Sequence, residues 1–111
     1  MQALTGTNAY QKMRVVGLVH KRPIHILIDT GSTHNFLDFE YTKKLGCVME
    51  SISLQSVIVA DGNKIPCQYV CRDFAWQING KLFTTDVLLI LIGSCDMVLG
   101  IQWLRQLGEV Y

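Results

Sequence analysis

The sequence has no long apolar run: its longest, Val87 to Ile92, is six residues, where a membrane-spanning helix needs about 20. It has no excess of either charge. Ten basic residues against nine acidic ones leave a net of +1, which gives no electrostatic case for a nucleic-acid or membrane surface. It has too few charges, 17% against 50% apolar residues, for a disordered tail or a coiled coil. Residues 1–10 lack the charged start and apolar core of a secretory signal, so the expected compartment is reducing, and cytoplasmic. The four cysteines (Cys47, Cys67, Cys71 and Cys95) include no C-x-x-C pair, so the usual zinc and redox spacings are missing. Cys67 and Cys71 fall in one expected strand, about 13 Å apart and beyond disulfide reach. Reduced core thiols are the expectation, and His20, His25 and His34 do not complete a ligand set, so neither metal nor cofactor is expected. There is no G-x-G, no G-x-x-x-x-G-K and no G-x-S-x-G, which removes the nucleotide-binding loops and the serine-hydrolase elbow.

What remains is a chain of 111 residues with the apolar content of one domain. Residues 1–12 read as a polar lead-in and 13–111 as the folded unit. Met13 to His20 predicts a strand, with Val15 and Val19 on one face and Val16 and Leu18 on the other. Lys21-Arg22-Pro23 predicts a turn, and Ile24 to Ile28 a short strand buried on both faces. Asp38 to Leu45 predicts a helix, with Asp38 as N-cap, Lys43 and Lys44 in its last turn and Gly46 closing it. Asp61-Gly62-Asn63 lies between two apolar-rich runs, Ser56 to Ala60 and Lys64 to Val70, and predicts a hairpin. Strict alternation places Val70, Phe74, Trp76 and Ile78 on one face. Asn79-Gly80 predicts a second tight hairpin, returning through Lys81 to Ile92, and Ile101 to Leu107 a last helix ended by Gly108. The order strand, strand, helix, hairpin, hairpin, helix is mainly β, as in a sandwich or a partly closed barrel.

The chemistry concentrates in Ile26-Leu27-Ile28-Asp29-Thr30-Gly31-Ser32. A carboxylate directly after a buried apolar strand is costly unless it is paired or used. Asp-Thr-Gly by itself fits an Asx-turn closing a strand as well as it fits a reactive site. A second stretch, Asp96-Met97-Val98-Leu99-Gly100-Ile101, leads straight into the last helix. An apolar strand ending in Asp-Thr-Gly-Ser, a hairpin, and an apolar-apolar-Gly stretch before a C-terminal helix together resemble the half-domain of the aspartic proteases. The single motif in a short chain is closer to retropepsins than to pepsins. Asp29 to Phe36, Val59-Ala60-Asp61-Gly62 and Val98 to Leu104 resemble the protease domain of gypsy-type LTR retrotransposon polyproteins, especially those of plants.

The resemblance implies a single acid-protease half-barrel with a flap hairpin and short helices. It implies that Asp29 is the catalytic carboxylate, that Thr30 grips its counterpart across a two-fold axis, and that Gly31 leaves room for the substrate backbone. Val59, Ala60, Asp61 and Gly62 would form the substrate-covering flap, with Val98, Leu99 and Gly100 packed under the Asp29 loop. Ser32, three residues on around a tight turn, would donate its hydroxyl to the outer oxygen of Asp29 and favour an acidic optimum. Peptide hydrolysis by this route needs two carboxyl groups about 3 Å apart sharing one proton. One motif per chain therefore implies a C2 homodimer acting on a peptide or polyprotein substrate. Only Glu109, Val110 and Tyr111 follow Gly108, a short end for the interleaved strands that tie such dimers, and a weak dimer is the expectation. The alternative is a catalytically silent binding or dimerisation module of the same fold; a small nucleic-acid-binding barrel is disfavoured by the neutral charge.

Overall fold

The computed structural model describes residues 12–58 and 62–107. Seven strands and two short helices make up these residues: β1 (Lys12–Val19), β2 (Arg22–Asp29), β3 (Phe36–Asp38), α1 (Phe39–Leu45), β4 (Glu50–Ile58), β5 (Lys64–Ile78), β6 (Lys81–Ile90), β7 (Met97–Leu99) and α2 (Ile101–Leu107). The strands form one sheet in the order β1-β2-β7-β3-β6-β5-β4, and Leu18 of β1 pairs with Gln77 of β5, which folds the sheet toward closure. The fold is the mainly β half-barrel with short helices that the sequence predicts.

Hairpin chemistry sets the outer strands. β1 and β2 pair antiparallel from Lys12↔Asp29 to Val19↔Arg22, so their turn is His20-Lys21, both at positive φ (51° and 68°). The turn expected at Lys21 to Pro23 is therefore displaced, and Pro23 lies inside β2 opposite Leu18. The sheet tolerates it because β7 reaches only Ile26 to Ile28, so no strand among the described residues lies on that side to need the missing N–H. Asn79-Gly80 makes the second hairpin turn, also with both residues at positive φ, as a type I′ turn requires. Helix α1 is bounded as expected: the Asp38 side chain accepts from the Tyr41 N–H and Gly46 takes the left-handed C-cap position.

The two three-residue strands, which no periodicity announces, organise the centre. β7 lies between β2, to which it is parallel, and β3, to which it is antiparallel; β3 in turn runs parallel to β6. Both short strands are buried on both faces and feed two cores. Leu37, Met97 and Leu99 enter the larger one, with Ile24, Ile26, Trp76 and Trp103. Phe36 and Val98 point the other way, to a smaller core with Val57, Cys67 and Ile90. Trp103 docks α2 onto the sheet through an edge-on contact with Phe83, 5.6 Å between centroids.

One expected face is corrected by a β-bulge. Arg72 and Asp73 together oppose Asp86, so the register jumps between Cys71↔Val87 and Phe74↔Thr85. Cys71, and not Val70, thereby joins Phe74 and Trp76 in the larger core. The Asp86 carboxylate holds the bulge, accepting from the Asp73 N–H at 2.9 Å and pairing with Arg72 at 3.1 Å.

Those contacts, the Asp73 N–H first and Arg72 after it, hold the Asp86 carboxyl below its ordinary value of 3.8. A group depressed in this way contributes stability that is complete above its unfolded-state value and lost as the pH falls through the folded-state value. Asp86→Asn, which mimics the protonated form, should melt earlier than wild type at neutral pH. The difference should close in strong acid, as thermal melts across the acid range would show.

Candidate active site

Asp29 is the last residue of β2, where the ladder with β7 ends at Ile28↔Leu99. The chain turns sharply there, the Ser32 N–H donating to the Asp29 carbonyl at 3.1 Å. Asp29 is completely buried. Its Oδ1 accepts the Gly31 N–H at 2.8 Å, while its Oδ2 is buried with no hydrogen-bond partner among the described residues. Ser32 is buried too, but the donor on the carboxylate is the backbone of Gly31 and not the Ser32 hydroxyl that the sequence predicts. Two residues of turn bring the Gly31 amide back onto the side chain of Asp29, which is Asx-turn geometry. Thr30, half-buried, completes the turn.

The loop is held from below. Gly100 lies so close to it that an added Cβ would stand 2.5 Å from the Ser32 carbonyl oxygen and 2.6 Å from that of His34. The Gly100 N–H donates to Asn35 Oδ1 at 2.9 Å, and the Ile101 N–H to the Ser32 carbonyl at 2.8 Å. Val98 and Leu99 sit in register with Leu27 and Ile28. The stretch 98–100 thus lies beneath the Asp29 turn. Asn35 is what the sequence reading missed. It stands in the quoted motif without a role, and only the fold shows its amide buried and facing Gly100.

A cleft opens over Asp29, lined by Leu27, Ile65, Ile90, Leu91, Ile92 and Val98, with Lys12, Asn63, Ser94 and Cys95 among its polar members. Ile65 comes from the start of β5 and Asn63 from the residue just before it, so the β4–β5 hairpin borders the cleft as a flap would. Of the expected flap residues, Gly62 is exposed at the bend, and Val59, Ala60 and Asp61 lie outside the described residues, as does Gly108. The wall from Ile90 to Cys95 was not anticipated as part of the site. Cys95 borders the cleft, but burial pushes its thiol up, and burial pushes Cys71 up to about 11. Thiols so shifted are protonated at neutral pH and make poor nucleophiles. No group of three or more His, Cys, Asp or Glu among the described residues is placed to hold a metal ion. No described helix is long and apolar enough to cross a membrane.

Chemically, the arrangement offers one buried carboxylate with a free oxygen, facing an apolar cleft under a hairpin. A family model described as retroviral aspartyl protease matches residues 2–110. The chain belongs to that family. As a retroviral aspartyl protease domain it is an aspartic endopeptidase of retropepsin type. Among solved structures it is similar to an EIAV protease complexed with the inhibitor HBY-793, with a TM-score of 0.64 and 18% identity over 94% of this chain and 95% of that one. A search of curated proteins finds no match.

The clamp under the loop can be tested without substrate. Gly100→Ala must displace two backbone carbonyls and is expected to cost about 1–3 kcal/mol. Asn35→Ala strands the buried Gly100 N–H and is expected to cost a similar amount, about 1–3 kcal/mol. Urea unfolding of both variants checks this. A midpoint equal to wild type in either would remove that contact from the support of the loop.

Proposed function

We propose that two copies of this chain pair about a two-fold axis to place both Asp29 carboxyl groups over one water molecule, and that the dimer hydrolyses peptide bonds of a gypsy-type retroelement polyprotein. The observation that carries this reading is the buried, unpartnered Oδ2 of Asp29. A buried carboxylate oxygen without a hydrogen bond is costly, and a carboxyl group of a second copy, sharing one proton with it, supplies the missing partner. The ionised carboxyl takes a proton from the water as its oxygen attacks the scissile carbonyl carbon. The protonated one gives its proton to the carbonyl oxygen. The tetrahedral diol then collapses: one of its hydroxyls gives its proton to the carboxyl now ionised, the C–N bond breaks, and the leaving amine takes the proton of the other carboxyl, so the dyad again holds one proton. Thr30 would brace the two Asp29 turns against each other, and Gly31 would leave its backbone open to the substrate. The hairpin tip around Gly62 would close over the peptide. The apolar lining from Leu27, Ile65, Ile90, Ile92 and Val98 favours apolar side chains beside the scissile bond.

Activity per chain must then depend on concentration. Below the dimer dissociation constant the rate should rise with the square of chain concentration, and well above it linearly. Asp29→Asn should abolish cleavage while leaving the thermal melt close to wild type, since the amide is nearly isosteric but cannot act as a base. Added to wild type in excess, it should poison activity through heterodimers with one competent carboxylate. Constant specific activity across a dilution series, from a species that sediments as a monomer, would sink the shared-site mechanism.

A further inference from the structure

The cleft wall from Ile90 to Asp96 is tied to Asp38 at three points, and its end also to His25, whose carbonyl accepts the Asp96 N–H at 2.9 Å and whose N–H donates to Asp96 Oδ2 at 2.8 Å. Asp38, read from the sequence only as the N-cap of α1, divides its two carboxylate oxygens between two tasks. Oδ2 accepts the Tyr41 N–H at 3.1 Å and caps the helix. Oδ1 faces the other way and accepts the Ile92 N–H at 2.8 Å and the Gly93 N–H at 3.4 Å. The backbone of the same residue holds both ends of this segment: Asp38 is in register with Ile90 in the β3–β6 pair, and its N–H donates to the Asp96 carbonyl at 2.8 Å. Start, middle and end of the turn from Ile90 to Asp96 are therefore tied to one residue, and only the middle tie depends on the side chain. The middle is also what matters to a ligand, because Leu91 and Ile92 line the cleft.

We propose that Asp38 is a positioning residue for substrate, whose Oδ1 fixes the 91–93 wall and so sets the affinity for the apolar side chain that packs against Leu91 and Ile92. The proposal rests on the peptide-cleaving reading of the cleft. The division of labour between the oxygens allows the two tasks to be separated. Serine is a competent N-cap, so Asp38→Ser keeps the helix cap. Its single oxygen, on a shorter side chain, cannot also reach Ile92 and Gly93. Asp38→Asn keeps an acceptor oxygen for the wall.

Two measurements decide it. By amide hydrogen exchange, Ile92 and Gly93 should exchange faster in Asp38→Ser than in wild type, while Tyr41 stays protected. In steady-state cleavage of peptides with apolar residues beside the scissile bond, Asp38→Ser should raise KM about tenfold, the scale expected for losing hydrogen bonds to a charged acceptor, with kcat held. Asp38→Asn should bring KM back toward wild type. An unchanged exchange rate at Ile92 and Gly93, or loosened exchange with KM unmoved, would overturn the proposal. A drop in kcat and melting temperature without a change in KM would reduce Asp38 to a structural cap and overturn it equally. A wild-type chain that cleaves no peptide would instead defeat the protease reading, and the exchange arm alone would then decide the tether.

Discussion

The structure depends on one close approach, that of the Gly100 backbone to the carbonyls of Ser32 and His34. This contact lets β7 thread between β2 and β3, and each neighbouring feature follows from it. With β7 in place, β2 is paired on both sides from Ile26 to Ile28 and can end abruptly at Asp29. The Gly100 N–H is taken by Asn35 and the Ile101 N–H by Ser32, so both donors at the point where the strand hands over to α2 are paired. Helix α2 then starts where Trp103 can reach the aromatic cluster with Trp76 and Phe83. A side chain at position 100 would force the two segments apart, and the support of the Asp29 turn with them.

The same threading leaves a debt at Asp29. The turn satisfies Oδ1 through the Gly31 amide, but the strands that bury the residue offer nothing to Oδ2. The buried side-chain atoms without a hydrogen bond among the described residues are Asp29 Oδ2, Tyr41 Oη and Trp76 Nε1, and of these three only Asp29 lines the cleft, which singles it out as the candidate reactive group. In the proposed mechanism, folding cost and chemical use meet in that one oxygen atom. The apolar walls that make its burial costly also make the cleft suitable for apolar peptide side chains.

Much of this was legible along the chain. Asn79-Gly80, Asp38 with Gly46, and the apolar run into Asp29 each carry local chemistry that dictates a turn, a capped helix and a strand ending in a carboxylate. Other elements were not legible, and for definite reasons. β3 and β7 are three residues each, too short for alternation to show, and they are strands only because longer neighbours pair with them. The bulge at Arg72–Asp73 depends on the Asp86 carboxylate, 13 residues from Asp73, so an unbroken alternation put Val70 on the face that Cys71 occupies. The His20-Lys21 turn displaced an expected proline turn because, among the described residues, the sheet edge near Pro23 has no second neighbour.

At the site the division is the same. Residue identity alone determined that a carboxylate, a hydroxyl and a glycine stand together at 29–31 and that Gly100 precedes the last helix. These follow from local chemistry. Tertiary structure alone decided which donor meets Asp29, giving Gly31 the role expected of Ser32. It also brought Asn35 to Gly100, 65 residues away, and Asp38 to Ile92, 54 residues away. The physical reason is the reach of the forces concerned. Backbone preference and periodicity act over a few residues and are written along the chain. The pairing of a buried donor with its acceptor is chosen only once the packed sheet has excluded water and left that donor no other partner.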